Sequence, residues 1–207
     1  MVNRTNFPWL MSNVVDLKTG QPLAGGARKH IVEWEGRKIG LIGLVEKEWL
    51  DTLATINPEE VEYTDYVEAG DSLVAELRQD GNIDDDTIDN NTEIIGCEYV
   101  IALTHMRTPN DIRLAEQVQG VDLVLGGHDH VYEKTLVNNT WVLKSGTDFR
   151  QFSKITLDFR ESPVSVEIAC VDVTSSYEPD SELGNILEQF TGETGCYNNG
   201  VESDCLG

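Results

Sequence analysis

Basic residues are scarce in this 207-residue chain: 15 Lys and Arg stand against 37 Asp and Glu, a formal net charge of −22. Such a field repels nucleic-acid backbones and anionic membrane surfaces, which argues against a DNA- or RNA-binding module. It also opposes a phosphate-bearing substrate. A site for any anionic substrate would therefore need concentrated local positive charge, of the kind that bound divalent cations supply. Cysteine is sparse too. Cys97, Cys170, Cys196 and Cys205 are too few and too scattered for a disulfide-dense scaffold. Cys97 and Cys170 sit in apolar strand-like runs and read as ordinary buried thiols. Cys196 and Cys205, in a Gly/Asn-rich tail, are spaced to close a small loop in an oxidising compartment. No apolar run reaches the roughly 18 residues of a membrane span, and MVNRTNFPWL lacks the basic start and apolar core of a signal peptide. With Met1 as the true start, the default compartment is the cytoplasm. Internal repeats are absent.

What is present suffices for a sizeable core, since 40% of residues are hydrophobic, and the length fits one domain or part of a larger one. The run KIGLIGLVE from Lys38 to Glu46 is short and continuously apolar, as in a strand buried on both faces of a sheet. His30 to Trp34 is expected to pair with it as a hairpin through the turn Glu35-Gly36-Arg37-Lys38, where glycine accepts a left-handed backbone cheaply. Asn57-Pro58-Glu59-Glu60 reads as a turn or short helix start. Val67, Ala69, Leu73, Val74 and Leu77 have helical spacing within a stretch from about Tyr66 to Arg78.

The acidic segment GNIDDDTIDNNTE, residues 81–93, has the composition of a solvated loop or insertion. Asn82, Asp84, Asp86 and Glu93 match part of a calcium-loop template, but Thr87 stands at the obligatory glycine and a strand follows instead of a helix. That segment is therefore read as functionally silent. Beyond it, the strand Tyr99 to Leu103 ends in Thr104-His105-Met106 and leads to a helical stretch through Leu114, Ala115 and Val118. A second strand, Val121 to Leu125, ends in Gly126-Gly127-His128-Asp129-His130. Trp141 to Lys144, Lys154 to Phe159 and Val164 to Val173 read as antiparallel strands of a covering sheet. An amphipathic helix with Leu183, Ile186, Leu187 and Phe190 on one stripe precedes the polar tail.

Three of the four histidines thus fall at the C-terminal ends of two consecutive strands, the edge where α/β sheets build their sites. His30 is left over and reads as a surface strand residue. A neutral imidazole binds Zn²⁺, Mn²⁺ or Fe, and rigid strand ends fix the geometry that a metal site demands. Gly126 and Gly127 let the backbone turn sharply and approach metals and substrate without a β-carbon in the way. In an extended backbone, His128 and His130 point to the same side and reach adjacent ions.

These residues resemble the calcineurin-like metallophosphoesterases, and within them the 5′-nucleotidases. The matching segments are FPWLMSNVVD (Phe7 to Asp16), GLIGLVEKEWL (Gly40 to Leu50), VIALTHM (Val100 to Met106), VDLVLGGHDH (Val121 to His130) and KSGTDFR (Lys144 to Arg150). GGHDH and THM are the most specific of them. The resemblance implies an α/β fold, a partial metallophosphatase-type α/β/β/α sandwich. Residues 1–175 form the partial catalytic domain and residues 176–207 a C-terminal helix and polar tail. It implies two divalent ions of the Zn, Mn, Fe or Mg class, with His105 and His128 on one and His130 on the other. The implied reaction is hydrolysis of nucleotides or related small phosphoesters by metal-activated water. Asp129 and Arg150 stand as candidates for a supporting or substrate contact, Asp129 by orienting an imidazole and Arg150 as part of a segment that also reads as a surface Asp–Arg pair.

The family's Asp-x-His, its Gly-Asp with the bridging aspartate, and its Gly-Asn-His-Glu with the catalytic histidine do not occur in the chain. No catalytic residue is therefore assigned here. Phe7 to Asp16 follows closely after the last of these motifs in relatives, so the chain is expected to begin just downstream of that half. Three neutral imidazoles without a bridging carboxylate leave two dications unneutralised, so the chain alone is expected to be inactive or nearly so. The rival readings are a non-catalytic remnant of the fold with a binding or regulatory role, and a metal-independent structural α/β protein.

Overall fold

A computed structural model describes residues 2–52, 56–79 and 96–194. The acidic segment 81–93, its calcium-loop reading and the Cys196/Cys205 pair lie outside the described residues. The described chain runs through β1 (Val14–Asp16), β2 (Gln21–Pro22), β3 (Lys29–Trp34), β4 (Arg37–Val45), α1 (Glu48–Thr52), β5 (Val61–Tyr63) and α2 (Tyr66–Gln79). It continues with β6 (Tyr99–His105), α3 (Thr108–Gln117), β7 (Leu123–Gly126), β8 (Tyr132–Val137), β9 (Thr140–Ser145), β10 (Gln151–Asp158), β11 (Ser165–Asp172) and α4 (Ser181–Thr194).

The principal sheet has the order β3-β4-β6-β7-β9-β8. Its four central strands are parallel and its two edge strands antiparallel to their neighbours. The β3–β4 hairpin forms as its turn chemistry requires: Glu35 and Gly36 both take positive φ, 49° and 79°, the two-residue turn whose twist matches paired strands. Alternation along the central strands sends Ile42, Leu44, Val100, Ala102, Val124 and Val142 to one face, where Leu73 and Leu77 of α2 and Leu114 of α3 cover them. Cys97 is buried in this core, as the sequence implies. The fold is α/β, a partial α/β sandwich with helices on one side of the sheet. Asn57 caps the 3₁₀ turn Pro58–Glu60 by accepting from the Glu59 amide at 3.1 Å.

Two expectations need correction. β9 does not belong to a covering sheet: it pairs in parallel with β7, Val124 opposite Val142 and Gly126 opposite Lys144. The connection from β7 runs through the edge strand β8, which carries no strong apolar signal, so the parallel pairing is hidden from local pattern. β10 and β11 do pair with each other, in a separate two-stranded sheet. Cys170, on β11, is exposed rather than buried, because a two-stranded sheet cannot cover both faces of its strands.

Chain contacts divide the molecule into two units, Met1–Val171 and Asp172–Gly207. The second carries α4, whose Leu183, Ile186, Leu187 and Phe190 share a helical stripe and are exposed. Among the described residues no helix is long and apolar enough to cross a membrane.

Candidate functional site

The register of the parallel strands lines up their C-terminal ends. Val45 of β4 stands opposite His105 of β6, Thr104 opposite Gly126 of β7, and Gly126 opposite Lys144 of β9. His105 is the last residue of β6, and His128 follows the end of β7 by two residues. The two rings meet there. His128 Nδ1 lies 3.4 Å from His105 Nε2, with the ring planes nearly perpendicular at 85° and their centroids 5.2 Å apart. That separation is long for a nitrogen hydrogen bond, whose usual range ends at about 3.2 Å. It equals the span between two ligands of one tetrahedral zinc, about 3.3–3.4 Å for metal–nitrogen bonds of about 2.0–2.1 Å. Burial pushes the His105 pKa below the ordinary imidazole value, helped by His128 and Lys144 against the opposing pull of Glu46. The neutral ring this favours is the form that ligates metals.

Beneath the pair lies a buried cluster of charge. Lys144, only 1% exposed, donates to the carbonyl oxygens of Met106 and Gly127 at 2.6 Å each. Its ammonium also pairs with Asp111 Oδ2 at 2.6 Å and lies 3.4 Å from Asp129 Oδ2. The second Asp111 oxygen accepts from the Thr104 hydroxyl at 2.6 Å. Burial pushes the Asp111 carboxyl up, and Lys144 and Thr104 counter it only in part. Beside this cluster, Glu46 is buried just past β4 and accepts from the Arg107 amide at 2.9 Å and from Asn110 Nδ2 at 2.6 Å.

The two glycines before His128 serve close packing. A β-carbon on Gly126 would sit 2.6 Å from Asp111 Oδ2 and 3.1 Å from the Lys144 Cε. One on Gly127 would come within 3.1 Å of His105 Nδ1. The sequence assigns both to approach by metal and substrate; at Gly126 the space belongs instead to the buried ion pair, and at Gly127 to the imidazole of His105.

Known proteins share this arrangement of strands. The chain is 25% identical over 206 residues to the trifunctional nucleotide phosphoesterase YfkN of Bacillus subtilis, a match covering 93% of this chain and 13% of that protein. The solved structure of that calcineurin-like phosphoesterase aligns with 93% of this chain and 64% of its own, with a TM-score of 0.69 and 15% identity. The 5′-nucleotidase of Vibrio parahaemolyticus is 30% identical over 142 residues, covering 59% of this chain and 21% of that protein. The chain resembles the calcineurin-like phosphoesterases, in their 5′-nucleotidase branch. A 5′-nucleotidase precursor from Thermus thermophilus shares the fold over 94% of this chain and 39% of its own, with a TM-score of 0.72 and 17% identity. No protein-family model matches the chain. It spans about an eighth to a fifth of the length of these curated relatives, 13% and 21%.

Against that phosphoesterase background, the residues singled out from sequence part company. His105 and His128 are brought together, whereas His130 is exposed and does not join their contact. The premise that placed His128 and His130 on one side, an extended backbone, does not hold: His128 has a φ of +73°. Among the described residues no three His, Cys, Asp or Glu side chains converge as a ready metal cage. Asp129 uses its Oδ2 on the Thr108 amide at 2.6 Å and the Thr108 hydroxyl at 2.8 Å. These bonds, with help from Lys144, outweigh its burial and hold its carboxyl below the usual range. Arg150 is exposed and 3.7 Å from Asp148, in a loop where Asp148 and Phe149 take φ of 53° and 54°. His30 is half-buried on β3.

Glu46 was not singled out from sequence, and Lys144 was noted only within the segment Lys144 to Arg150, without its partner Asp111. Asp111 did carry a signal, since it shares a stripe with Leu114, Ala115 and Val118, where a carboxylate must find a partner. Lys144 carried the matching one, standing two residues from Val142 on the face that β9 turns to the core.

Proposed function

We propose that this chain forms part of the active site of a metal-dependent phosphoester hydrolase of the 5′-nucleotidase type, acting on nucleotides or related small phosphoesters. The observation that carries the reading is the pair of imidazole nitrogens 3.4 Å apart at the C-terminal edge of the parallel strands. His105 and His128 would hold one divalent cation, and His130 would serve a second. Such cations lower the pKa of water and neutralise charge on phosphoryl oxygens. The chain's own residues prepare that chemistry. Burial, helped by His128, lowers the His105 pKa and so favours its neutral ring. The Glu46 carboxylate acts on both imidazoles in the sense that favours positive charge beside them. Residues 1–175 carry this partial catalytic domain, and Asp129 and Arg150 act in support of ligands and substrate.

The test titrates the purified chain and His128→Ala with Zn²⁺ or Mn²⁺ and measures phosphate release from a nucleoside monophosphate. The parent is expected to bind metal and the variant to bind it more weakly. Neither is expected to release appreciable phosphate, because the motifs for a bridging aspartate and a catalytic histidine are not among the 207 residues. Metal-dependent release that disappears in the variant would overturn the incompleteness of the site. Equal binding by both chains, or none by either, would sink the assignment of these histidines as ligands.

A further inference from the structure

Lys144 stands at the meeting point of everything that positions the histidines. An ammonium has three N–H donors and accepts nothing. Two of them go to the carbonyls of Met106 and Gly127 at 2.6 Å, and Asp111 Oδ2 stands 2.6 Å away as its ion-pair partner. Asp129 Oδ2 stands fourth at 3.4 Å. Met106 follows His105 directly. The Gly127 carbonyl belongs to the peptide bond that begins His128, and Asp129 lies between His128 and His130. One buried charge therefore touches the chain next to every histidine of the candidate site.

The surroundings leave it little freedom. Gly126 closes over the pair so tightly that a β-carbon would lie 2.6 Å from Asp111 Oδ2. Asp111 is anchored in α3, and its other oxygen bonds to Thr104, the residue before His105. His128 has a φ of +73°, a conformation that few L-residues adopt. The neighbours on both sides are held, Gly127 by Lys144 and Asp129 by Thr108 and Lys144. A lysine out of water is costly unless its donors are fully used. These donors are used on the two strand ends whose spacing decides whether His105 and His128 face the same ion.

We propose that Lys144 is a positioning residue, whose ammonium sets the His105–His128 spacing by tying the Met106 and Gly127 carbonyls together over Asp111. The role in metal binding rests on the reading of these histidines as ligands; the role in spacing does not. Removing one partner of a buried pair destabilises a fold for reasons unrelated to the site, so the variant neutralises both partners: Lys144→Met with Asp111→Asn.

Two measurements follow on chains shown to be folded by cooperative unfolding. In the metal-free parent, proton NMR should give a cross-peak between the His105 and His128 rings, and the double variant should lose it. Calorimetric titration with Zn²⁺ should show affinity falling about 10- to 100-fold in the double variant, the usual effect of losing a group that orients ligands. A folded double variant that keeps both the cross-peak and the affinity overturns the proposal. A parent that binds no Zn²⁺ sinks the ligand reading, while the cross-peak still decides the role of Lys144. Gly126→Ala keeps every charge and crowds Asp111 and the Lys144 stem that hold the ammonium in place, so it decides between the outcomes where the double variant does not fold: a retained cross-peak counts against Lys144, a lost one for it.

Discussion

Glu46 directly follows β4 with its carboxylate out of water, in a chain that is rich in acids and could have placed this one in solvent. Burial pushes its pKa up. The Arg107 amide, Asn110 and the Arg107 guanidinium 3.1 Å away outweigh that and hold it below the ordinary carboxylate value. A carboxylate with a lowered folded-state pKa contributes stability above its unfolded pKa, and that contribution is lost as pH falls through the folded one. Glu46→Gln is thus expected to cost about 1–2 kcal/mol near neutral pH, a value reduced for the half-exposed guanidinium. The deficit should shrink toward zero below about pH 4. Urea unfolding of parent and variant across that range checks it; a deficit independent of pH would assign the loss to packing instead. From sequence, Glu46 was simply the polar residue that ended an apolar run. Its importance depends on Arg107 and Asn110, which reach it only once β4 and β6 lie side by side.

At the scale of elements, the start of α3 illustrates what local sequence hides. The residue before its first turn, Arg107, makes no side-chain cap bond, and Pro109 occupies an early position where a missing N–H costs nothing. The cap comes from elsewhere: Asp129 accepts from the Thr108 amide and hydroxyl. Asp129→Ala is expected to cost about 0.5–2 kcal/mol, the range for a lost N-terminal cap. Amide exchange should quicken first at Thr108 and its neighbours in the first turn; unchanged protection there would show that α3 does not depend on this carboxylate. The long elements were legible. KIGLIGLVE, YVIAL and the stripes of α2 and α3 carry periods strong enough to reveal β4, β6 and both helices. β1, β2 and β5 are two or three residues long and hold no period. β9 was seen as a strand but put in the wrong sheet, because its order beside β7 is a tertiary fact. His105 and His128 were legible at their strand ends, whereas His130 was not brought to them and Lys144 was legible only as part of a family-like segment, its burial against Asp111 being a tertiary fact.

Over the whole molecule the dominant physical quantity is charge, −22 in 207 residues. The local ion pairs, such as Arg78–Asp122 at 2.6 Å and Arg37–Glu98 at 2.5 Å, are partly exposed and offset little of it. Self-repulsion should therefore weaken the compact state at low ionic strength. Raising monovalent salt from about 0.01 M to about 0.15 M shortens the screening length from about 30 Å to about 8 Å. The thermal midpoint is expected to rise by a few degrees over that interval; a fall would mean that attractive pairs outweigh the net field. The charge also bears on the reaction proposed, because an acidic surface turns away phosphoesters unless cations offset it, as the proposed ions at the strand ends would. The likeness to the phosphoesterases extends over 93% of the chain, and the ends of the parallel strands fall within it.

One amine escapes that acidic exterior entirely. Lys144 meets no solvent, and its nitrogen is enclosed by two carbonyls and a carboxylate. An acylating reagent needs an accessible amine, and this one is out of reach while β6, β7 and β9 stay joined. A covalent mark at residue 144 is therefore the record of a moment when those strands had parted, written while they were open.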